Sequence, residues 1–514
     1  MPQAAVVKFV ASGPVETTLS ISTGEHSWQL SYDNSKDPAA GLPVIGLYPA
    51  TEHEVTVTIR DESGAEISSA PLSFTSSPLP DDKAEFPPIE VTVNKTDQIE
   101  PGYVLFNPRR SWPERRNARL AATFGMLLIV DHAGTPLWYY RNDSRISDLE
   151  ILNNGNIVYV TQDFRVTEID WLGNIVREWY AADRPQGLHE GGIAVEGTQT
   201  FHHEIDELPN GNLVALGSEW REVENYYTSE YDANAPRKTQ KVVGDVIVEF
   251  EPDTGKVVWT WKAFDYLDPF RIGFETFSGY WARRGFPGMV DWSHANNLLY
   301  DESDDSFIVN FRYQAAAIKI DRATKEIKWI FGDPTGWGDL SDRVFKLEGE
   351  GRWPFHQHSP TPTPNGTLLV FDNGNYQRRP FDKPLPPAET YTRVVEYSLD
   401  EEARVVRQVW QSEEKGPDSV VSFAMGDVEP LPETGNILAA YGFVIEQEAV
   451  RDGRFQWTGA LDFHAWTRLR QFKRGDPTEV VWEIRLDDQG EDPVNWVLFG
   501  AEHIPSWDVI RTGK

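Results

Sequence analysis

The sequence predicts an all-β protein in which a small N-terminal β-sandwich precedes a six-bladed β-propeller. Three observations support this prediction. Short runs of alternating apolar and polar residues recur along the chain, 39 glycines and 35 prolines supply many turns, and a repeat that ends in a tryptophan is present six times. Because 514 residues exceed one ordinary domain, we expect two domains.

The N-terminal segment, residues 1–85, is predicted to form the β-sandwich. Its alternating runs lie at 18–21, 26–32, 54–59 and 70–75. The stretch GLYPATEHEVTVTIRD, residues 46–61, resembles the turn-into-strand signature of fibronectin type III and immunoglobulin-like modules, with His53 in the position of the usual tyrosine. Any β-hairpin with a proline turn is the alternative interpretation.

Residues 86–101 are predicted to form a linker, because a proline-rich stretch at 77–88 leads into them. The propeller is expected at 102–514. Its repeat consists of an acidic or polar turn, a short β run and a tryptophan, as in VDHAGTPLWYY and FEPDTGKVVWTW. The six tryptophans are Trp138, Trp179, Trp259, Trp329, Trp410 and Trp482.

A ring of stacked blades follows from this repeat, since a single blade cannot bury both of its faces. A hairpin turn and an apolar strand, as in LPNGNLVAL, precede most copies. Seven blades is the alternative count. We expect the C-terminal segment from about Asn495 to complete the first blade by strand exchange.

The composition excludes several classes of function. A net charge of −32 would repel nucleic acid and anionic membranes over most of the surface, so neither is an expected partner. An anionic substrate would need local cations, although solubility alone also explains the acidity. The chain contains no cysteine, which excludes disulfides and thiol nucleophiles. No run of about 18 apolar residues and no signal segment is present, so we expect a soluble chain.

Three histidines occupy the same position in three consecutive repeats. His203, His294 and His358 each lie seven residues before a residue of the following hairpin turn. The turn residues are Asn210, Asp301 and Asn365. Inner strands line the channel of a propeller, so equivalent positions of different blades meet there. We therefore predict that these histidines converge at the channel mouth; separate core or surface histidines are the alternative.

Arg312 is the predicted anion-binding residue, because it lies in the strand that pairs back onto the one entered at His294. Its planar guanidinium suits the oxygens of sulfate or phosphate. A salt bridge to Glu204 or a similar acid is the alternative. Three histidines could also bind zinc or another divalent cation. A fixed positive charge beside a dication is unfavourable, so we expect no metal and no cofactor.

Further residues are expected to supply polar contacts. Asn296 lies two residues after His294 and so on the same strand face, His356 is related to His358 in the same way, and Ser422 precedes a further hairpin. Candidates with weaker support are Asp372 with Asn373, Arg283 with Arg284, and Arg378 with Arg379. Surface solubility explains the arginine pairs equally well.

The motifs FHHEIDELPNGN, DWSHANN followed by NFRY, and FHQHSPTPTPNGTLLVFDNGN resemble those of bacterial arylsulfate sulfotransferases. The resemblance spans nearly the whole chain and includes both predicted domains. It implies transfer of a sulfuryl group from a phenolic sulfate ester to another phenol by a ping-pong route through a sulfated histidine, without a nucleotide sulfate donor. The implied partners are a small aryl sulfate and a phenolic acceptor, with no cofactor.

The resemblance also implies residue roles. His358, in the Gln-His pair before the PNG turn, matches the nucleophile. His203, His294 and Arg312 match the residues that hold the sulfuryl oxygens and handle the phenolic proton. His203 is preferred to its neighbour His202 because it is in register. The expected substrate-binding residues are Asn296, His356, Ser422 and His202.

Well-known members of this family are exported and contain cysteine, which this chain lacks. A periplasmic or secreted location therefore rests on the resemblance alone, and a cytoplasmic one stays open, as does a homodimeric assembly. Two other functions stay open as well. One is metal-dependent hydrolysis of a lactone or phosphoester in the propeller channel, and the other is a non-catalytic scaffold.

Overall fold

The structure, a computed structural model, describes residues 3–412 and 419–512, and strands dominate it. The predicted all-β class is confirmed. Seven strands form the N-terminal sandwich: β1 Ala5–Val7, β2 Glu16–Ser22, β3 Ser27–Tyr32, β4 Leu42–Val44, β5 Glu52–Arg60, β6 Glu66–Ser68 and β7 Leu72–Thr75. Their two sheets have the orders β1-β4 and β3-β2-β5-β6, with β7 also on β5. Alternate residues of β2 and β5 are buried between the layers, as the period of two requires.

The remaining strands lie between residues 90 and 504. The first are β8 Glu90–Asn94, β9 Tyr103–Ser111, β10 Gly125–Val130, β11 Pro136–Asn142, β12 Ile146–Ile151, β13 Ile157–Thr161, β14 Arg165–Ile169, β15 Ile175–Ala181, β16 Ile193–Val195, β17 Phe201–Glu207, β18 Leu213–Tyr226, β19 Lys238–Phe250, β20 Val257–Lys262 and β21 Met289–Asp291. The others are β22 Ala295–Asp301, β23 Ser306–Phe311, β24 Ala316–Asp321, β25 Ile327–Gly332, β26 Lys346–Leu347, β27 His358–Pro362, β28 Thr367–Asp372, β29 Arg393–Asp400, β30 Val405–Gln411, β31 Asp427–Pro430, β32 Ile437–Ile445, β33 Ala465–Lys473, β34 Glu479–Leu486 and β35 Asn495–Ile504.

The described helices are short, and all except the C-terminal one lie between strands. The α-helices are α1 Ala118–Ala122, α2 Ala263–Tyr266, α3 Gln447–Arg451 and α4 Val509–Thr512. Short 3-10 helices lie at Thr96–Gln98, Pro113–Arg115, Ala282–Arg284, Gly338–Arg343, Pro387–Glu389 and Trp457–Asp462. Within the described ranges, no helix is long and apolar enough to span a bilayer.

Among the residues that the structure describes, six antiparallel units of four strands each follow the sandwich, and we call each unit a blade. Blade 1 is β35-β9-β10-β11, blade 2 is β12 to β15, blade 3 is β17 to β20, blade 4 is β22 to β25, blade 5 is β27 to β30 and blade 6 is β31 to β34. The inner strands β35, β12, β17, β22, β27 and β31 contact one another in this order, and β31 contacts β35 again. The inner strands therefore surround a common axis, where their side chains meet.

The chain closes on itself through β35, which pairs antiparallel with β9 from Asn495 opposite Ser111 to Ile504 opposite Tyr103. This is the strand exchange expected from the sequence. A bulge interrupts the ladder, and there the side-chain oxygen of Asn107 accepts the backbone N–H groups of Phe499 (2.9 Å) and Gly500 (3.3 Å). The segment expected to be a linker, 86–101, contains β8, which pairs with β34 of blade 6.

The tryptophans of the repeat join neighbouring blades. Four of them donate the indole N–H to a backbone carbonyl in the repeat turn of the next blade. The pairs are Trp138 to Trp171 (3.0 Å), Trp179 to Pro252 (2.7 Å), Trp259 to Arg322 (2.8 Å) and Trp482 to His132 (2.9 Å). A buried donor needs such an acceptor. In each of these four pairs one blade supplies the tryptophan and its neighbour supplies the turn.

We expect Trp179→Phe to destabilise the protein more than Trp329→Phe. Both indoles are buried, but Trp329 Nε1 has no partner among the described residues, whereas Trp179 binds the carbonyl of Pro252. Removing the Trp179 donor leaves that carbonyl unpaired, at a cost of about 1–3 kcal/mol beyond the shared loss of packing. Urea denaturation of the two variants measures the difference. Equal losses of unfolding free energy in the two variants would contradict a role for the hydrogen bond.

Candidate active site

A cavity of about 610 Å³ lies where the inner strands of the blades begin. His203, His294, His358 and Arg312 all line it. The structure thus brings together the four residues that registry and motif singled out. The imidazoles of His203 and His294 have ring centroids 5.1 Å apart.

The backbone turns these histidines toward the cavity by a local irregularity in each inner strand. His203 and His294 have left-handed φ values of 58° and 52°, and Ser359, next to His358, has a φ of 47°. The pairing register of each inner strand shifts at the same level. Such conformations cost about 1–3 kcal/mol each and concentrate at functional sites, where a bulge redirects a side chain.

His358 is held by Asn373 in a defined tautomer. The amide nitrogen of Asn373 donates to the carbonyls of Ser422 and Met425, each at 2.9 Å, so its oxygen is the acceptor for Nδ1–H of His358 at 2.7 Å. Nε2 of His358 therefore carries the lone pair. Burial, followed by the charge of Arg312, lowers the pKa of His358 well below its usual range, so the ring is neutral.

His294 shares a proton with a buried carboxyl. Its Nδ1 lies 2.5 Å from Oδ2 of Asp291, whose other oxygen accepts the indole N–H of Trp281 at 3.0 Å. Burial, then the charge of Asp245, raises the pKa of Asp291 to about 8. Burial, then Arg312, lowers the pKa of His294. Up to about pH 8 the pair therefore holds one dissociable proton.

His203, rather than His202, lines the cavity. Nε2 of His202 lies 3.0 Å from the carbonyl of Gly217 and 3.2 Å from Asp245, away from the cavity. Its Nδ1 is 2.8 Å from Nδ1 of His203. Burial, then His202 and His294, lowers the pKa of His203 well below its usual range.

Arg312 is ion-paired, and its partner is Glu275 rather than Glu204. A second amino group donates to the carbonyl of Phe423 at 3.1 Å, while Nε is buried without a partner among the described residues. Burial acts to lower the pKa of Arg312, but Glu275, Tyr313 and Tyr376 together outweigh it and the pKa is raised. The guanidinium stays charged beside the histidines.

Three of the expected substrate-binding residues lie behind the cavity lining. His356 has Nδ1 3.7 Å from Glu275, and Ser422 uses its carbonyl to hold Asn373. The amide of Asn296 donates to the carbonyl of Gln357 at 3.0 Å. Strand alternation placed Asn296 and His356 on the face of the neighbouring histidines, but left-handed φ values at His294 and His356 (52° and 54°) break that alternation.

Several residues that line the cavity were not found from the sequence. Tyr280 and Tyr313 enclose His294, with ring centroids 4.6 Å and 4.5 Å from its imidazole.

Six arginines also line the cavity: Arg109, Arg115, Arg145, Arg283, Arg284 and Arg312. The pair Arg283 and Arg284 had a signal in the sequence, whereas Arg109 and Arg145 belong to no motif. These arginines supply local positive charge in a chain whose net charge is −32.

A second cavity, of about 250 Å³, follows further along the inner strands and has the opposite charge. Asn296 lines this cavity, and Phe499 lines both. The carboxylates that line the second cavity are Asp148, Glu150, Glu204, Asp206, Asp427, Glu429 and Glu502. Across residues 3–412 and 419–512, no group of three or more His, Cys, Asp or Glu side chains has an arrangement that could hold a metal ion.

Comparison with known proteins identifies the family. The profile of the family described as Arylsulfotransferase (ASST) matches residues 91–488, well over half of the chain. The chain belongs to this arylsulfotransferase family. A second profile, described as Arylsulfotransferase Ig-like domain, matches residues 1–73, which confirms the immunoglobulin-like sandwich expected at the N-terminus. The resemblance stated from the motifs is therefore confirmed.

Two curated arylsulfotransferases are similar over most of the chain. Arylsulfate sulfotransferase AssT of Escherichia coli O6:H1 is 24% identical over 470 residues, which cover 77% of this chain and 75% of that protein. Arylsulfate sulfotransferase AssT of Lelliottia amnigena is 24% identical over 528 residues, covering 88% and 81%. A solved structure, cobalt-substituted Synechocystis ACO, has 10% identity and a TM-score of 0.35 over 81% of this chain and 94% of its own; so low a score supports no inference.

In this arylsulfotransferase we expect Arg312→Gln to raise the pKa of His358, since the charge of Arg312 is one cause of its low value. The pKa stays below the usual range because burial remains. NMR titration of histidine-labelled protein, with the resonance assigned through His358→Gln, measures the change. The exposed Arg378, changed to Gln, is the matched control and leaves the titration unaltered. An unchanged or lower pKa in Arg312→Gln would refute the electrostatic assignment.

Proposed function

We propose that this protein transfers a sulfuryl group from an aryl sulfate to a phenol by a ping-pong mechanism in which His358 is sulfated. The supporting observation is the neutral imidazole of His358, with its Nδ1–H held by Asn373 and its Nε2 lone pair free in a cavity lined by Arg312. Imidazole suits the task because it is nucleophilic when neutral and leaves from sulfur about as readily as a phenolate.

In the first half-reaction, Nε2 of His358 attacks the sulfur of the donor. The N–S bond forms as the bond between sulfur and the aryl oxygen breaks, and the electron pair leaves with that oxygen. The proton shared by His294 and Asp291 passes from His294 to the departing phenolate. The product phenol leaves, and His358 retains the sulfuryl group on Nε2 and the proton on Nδ1.

The second half-reaction reverses these steps with a different phenol. The acceptor gives its proton to His294, its oxygen attacks sulfur, and the N–S bond breaks with return of the electron pair to Nε2 of His358. Arg312 stabilises the charge on the sulfuryl oxygens, with His203 beside it. Loss of one such donor lowers rates by about 10²–10³-fold in other enzymes, and we expect a loss of this size for Arg312→Gln.

A donor-labelling experiment tests the nucleophile. We expect brief exposure to 4-nitrophenyl sulfate in metal-free buffer with chelator to add one sulfuryl group to the intact protein, detected by mass spectrometry, and phenol to remove it. His358→Ala should show neither the label nor nitrophenol release. His189→Ala, outside the cavity and paired with Glu178, is the matched control. A label that persists in His358→Ala would assign the nucleophile elsewhere, and activity lost to the chelator would favour a metal-dependent hydrolase.

The shared proton predicts an alkaline limit on donor cleavage. Because burial raises the pKa of Asp291 to about 8, the pair with His294 holds its proton below that pH and loses it above. Above about pH 8 we expect the burst of phenol release to slow. The slowing should be steeper for phenyl sulfate than for 4-nitrophenyl sulfate, since the poorer leaving group needs the proton more. Stopped-flow measurements on the protein and on Asp291→Asn provide the test; an identical pH profile for both would exclude the role.

The proposed partners are accordingly small molecules, an aryl sulfate donor and a phenolic acceptor. A periplasmic or secreted location stays a prediction that rests on the resemblance to the family, with a cytoplasmic location as the alternative, and a homodimer stays an untested prediction.

A further inference from the structure

Three of the cavity arginines form a group with neighbours different from those of Arg312. The guanidinium carbon of Arg284 lies 3.6 Å from the ring centroid of Tyr280, and this ring stacks on His203 with centroids 6.1 Å apart. The guanidinium carbon of Arg109 lies 5.4 Å from the ring centroid of Phe499. Arg145 completes the group, and all three line the cavity.

The three guanidinium groups have neutral partners or none. Arg109 donates to the carbonyl of Ser147 at 2.8 Å and contacts the sulfur of Met425 at 3.4 Å, while Arg284 donates to the carbonyl of Tyr280 at 3.2 Å. Among the residues that the structure describes, none of the three lies within 4.0 Å of a carboxylate, and Nε of Arg145 is buried without a hydrogen-bond partner. Arg312, by contrast, is neutralised by Glu275.

Such a group of cations is energetically unfavourable when no anion is bound to it. Burial, then Arg284, lowers the pKa of Arg145 to about 10, and burial, then Arg145, lowers the pKa of Arg109 well below its usual range. Like charges in a desolvated site repel one another, and removing them from water without a counter-charge costs free energy. A bound anion would offset both the repulsion between the arginines and the cost of their desolvation through charge-assisted hydrogen bonds.

The sulfuryl group of a donor already has its own partners in the proposed function, namely Arg312 and the three histidines. A cavity of about 610 Å³ has room for an aromatic ring and a substituent beyond them. The apolar and aromatic side chains between the two groups of charge suit that ring. They include Tyr280, Tyr313, Phe423 and Phe499.

We propose that Arg109, Arg145 and Arg284 form a second anion subsite, which binds a carboxylate or another oxyanion substituent on the aromatic ring of the substrate. This inference rests on the proposed function. In a ping-pong exchange the donor and acceptor rings occupy the same position in turn, so one subsite serves both. The enzyme should therefore prefer phenols that carry an anionic group, despite the negative charge of the chain as a whole.

Equilibrium binding tests the subsite without requiring transfer. We expect the full chain to bind 4-hydroxyphenylacetate about tenfold or more tightly than its methyl ester, as a charge-assisted hydrogen bond allows. Arg145→Gln should abolish this preference and bind the ester as the unaltered protein does. Because Arg145 has no carboxylate partner among the described residues and its Nε is unpaired, the fold should tolerate the change. Arg378→Gln, an exposed arginine outside the cavity, should keep the full preference.

Acceptor kinetics with 4-nitrophenyl sulfate as donor provide the second measurement. Arg145→Gln should raise KM for the acid about tenfold with little change in kcat, and leave KM for phenol unaltered. Equal binding of acid and ester by the unaltered protein would overturn the subsite. An equal loss of kcat with all acceptors would also overturn it, because the arginines would then act on the transferred group. Selective binding of the acid without any transfer would refute the proposed function and retain the subsite.

Discussion

The pairing of β35 with β9 is the interaction on which the ring and its cavity depend. It places the C-terminal strand inside blade 1, so that six inner strands surround one axis. It also delivers Phe499 to the cavity, where its ring centroid lies 5.5 Å from that of His203 and 6.5 Å from that of His358. Asn107 fixes the bulge at this point. A site built from three different blades can keep its geometry only if the ring is closed.

Burial then determines the protonation states on which chemistry depends. Desolvation keeps His203, His294 and His358 neutral, and the network around Asn373 decides which nitrogen of His358 carries the lone pair. Desolvation also makes Asp291 a weak acid that shares its proton with His294. The channel is divided by charge, with arginines around the histidines and carboxylates further along. Positive charge is therefore concentrated beside the histidines.

Registry within the repeat predicted the three histidines of the cavity because each inner strand enters the channel at the same level. Asn296 and His356 were expected on the cavity face from strand alternation, but they do not line the cavity. Regular alternation does not continue through a left-handed residue, and His294 and His356 are left-handed. Tyr280 and Arg145 had no periodic signal, because they lie in loops whose paths depend on the blades around them. The partner of Arg312 likewise comes from a loop, at Glu275, and not from the strand that carries Glu204.

The all-β class, the succession of tryptophan repeats, the family and the equivalence of His203, His294 and His358 can be read from the amino-acid sequence alone. These features are local or periodic, so residue types and spacing are sufficient to find them. The choice between His202 and His203, the tautomer of His358 and the gathering of Arg109, Arg145 and Arg284 require the folded chain. Each of these depends on groups that are separated along the chain: His202 and Gly217, Asn373 and Ser422, and the three arginines themselves. Their contacts exist only after the ring has closed and excluded water from the site.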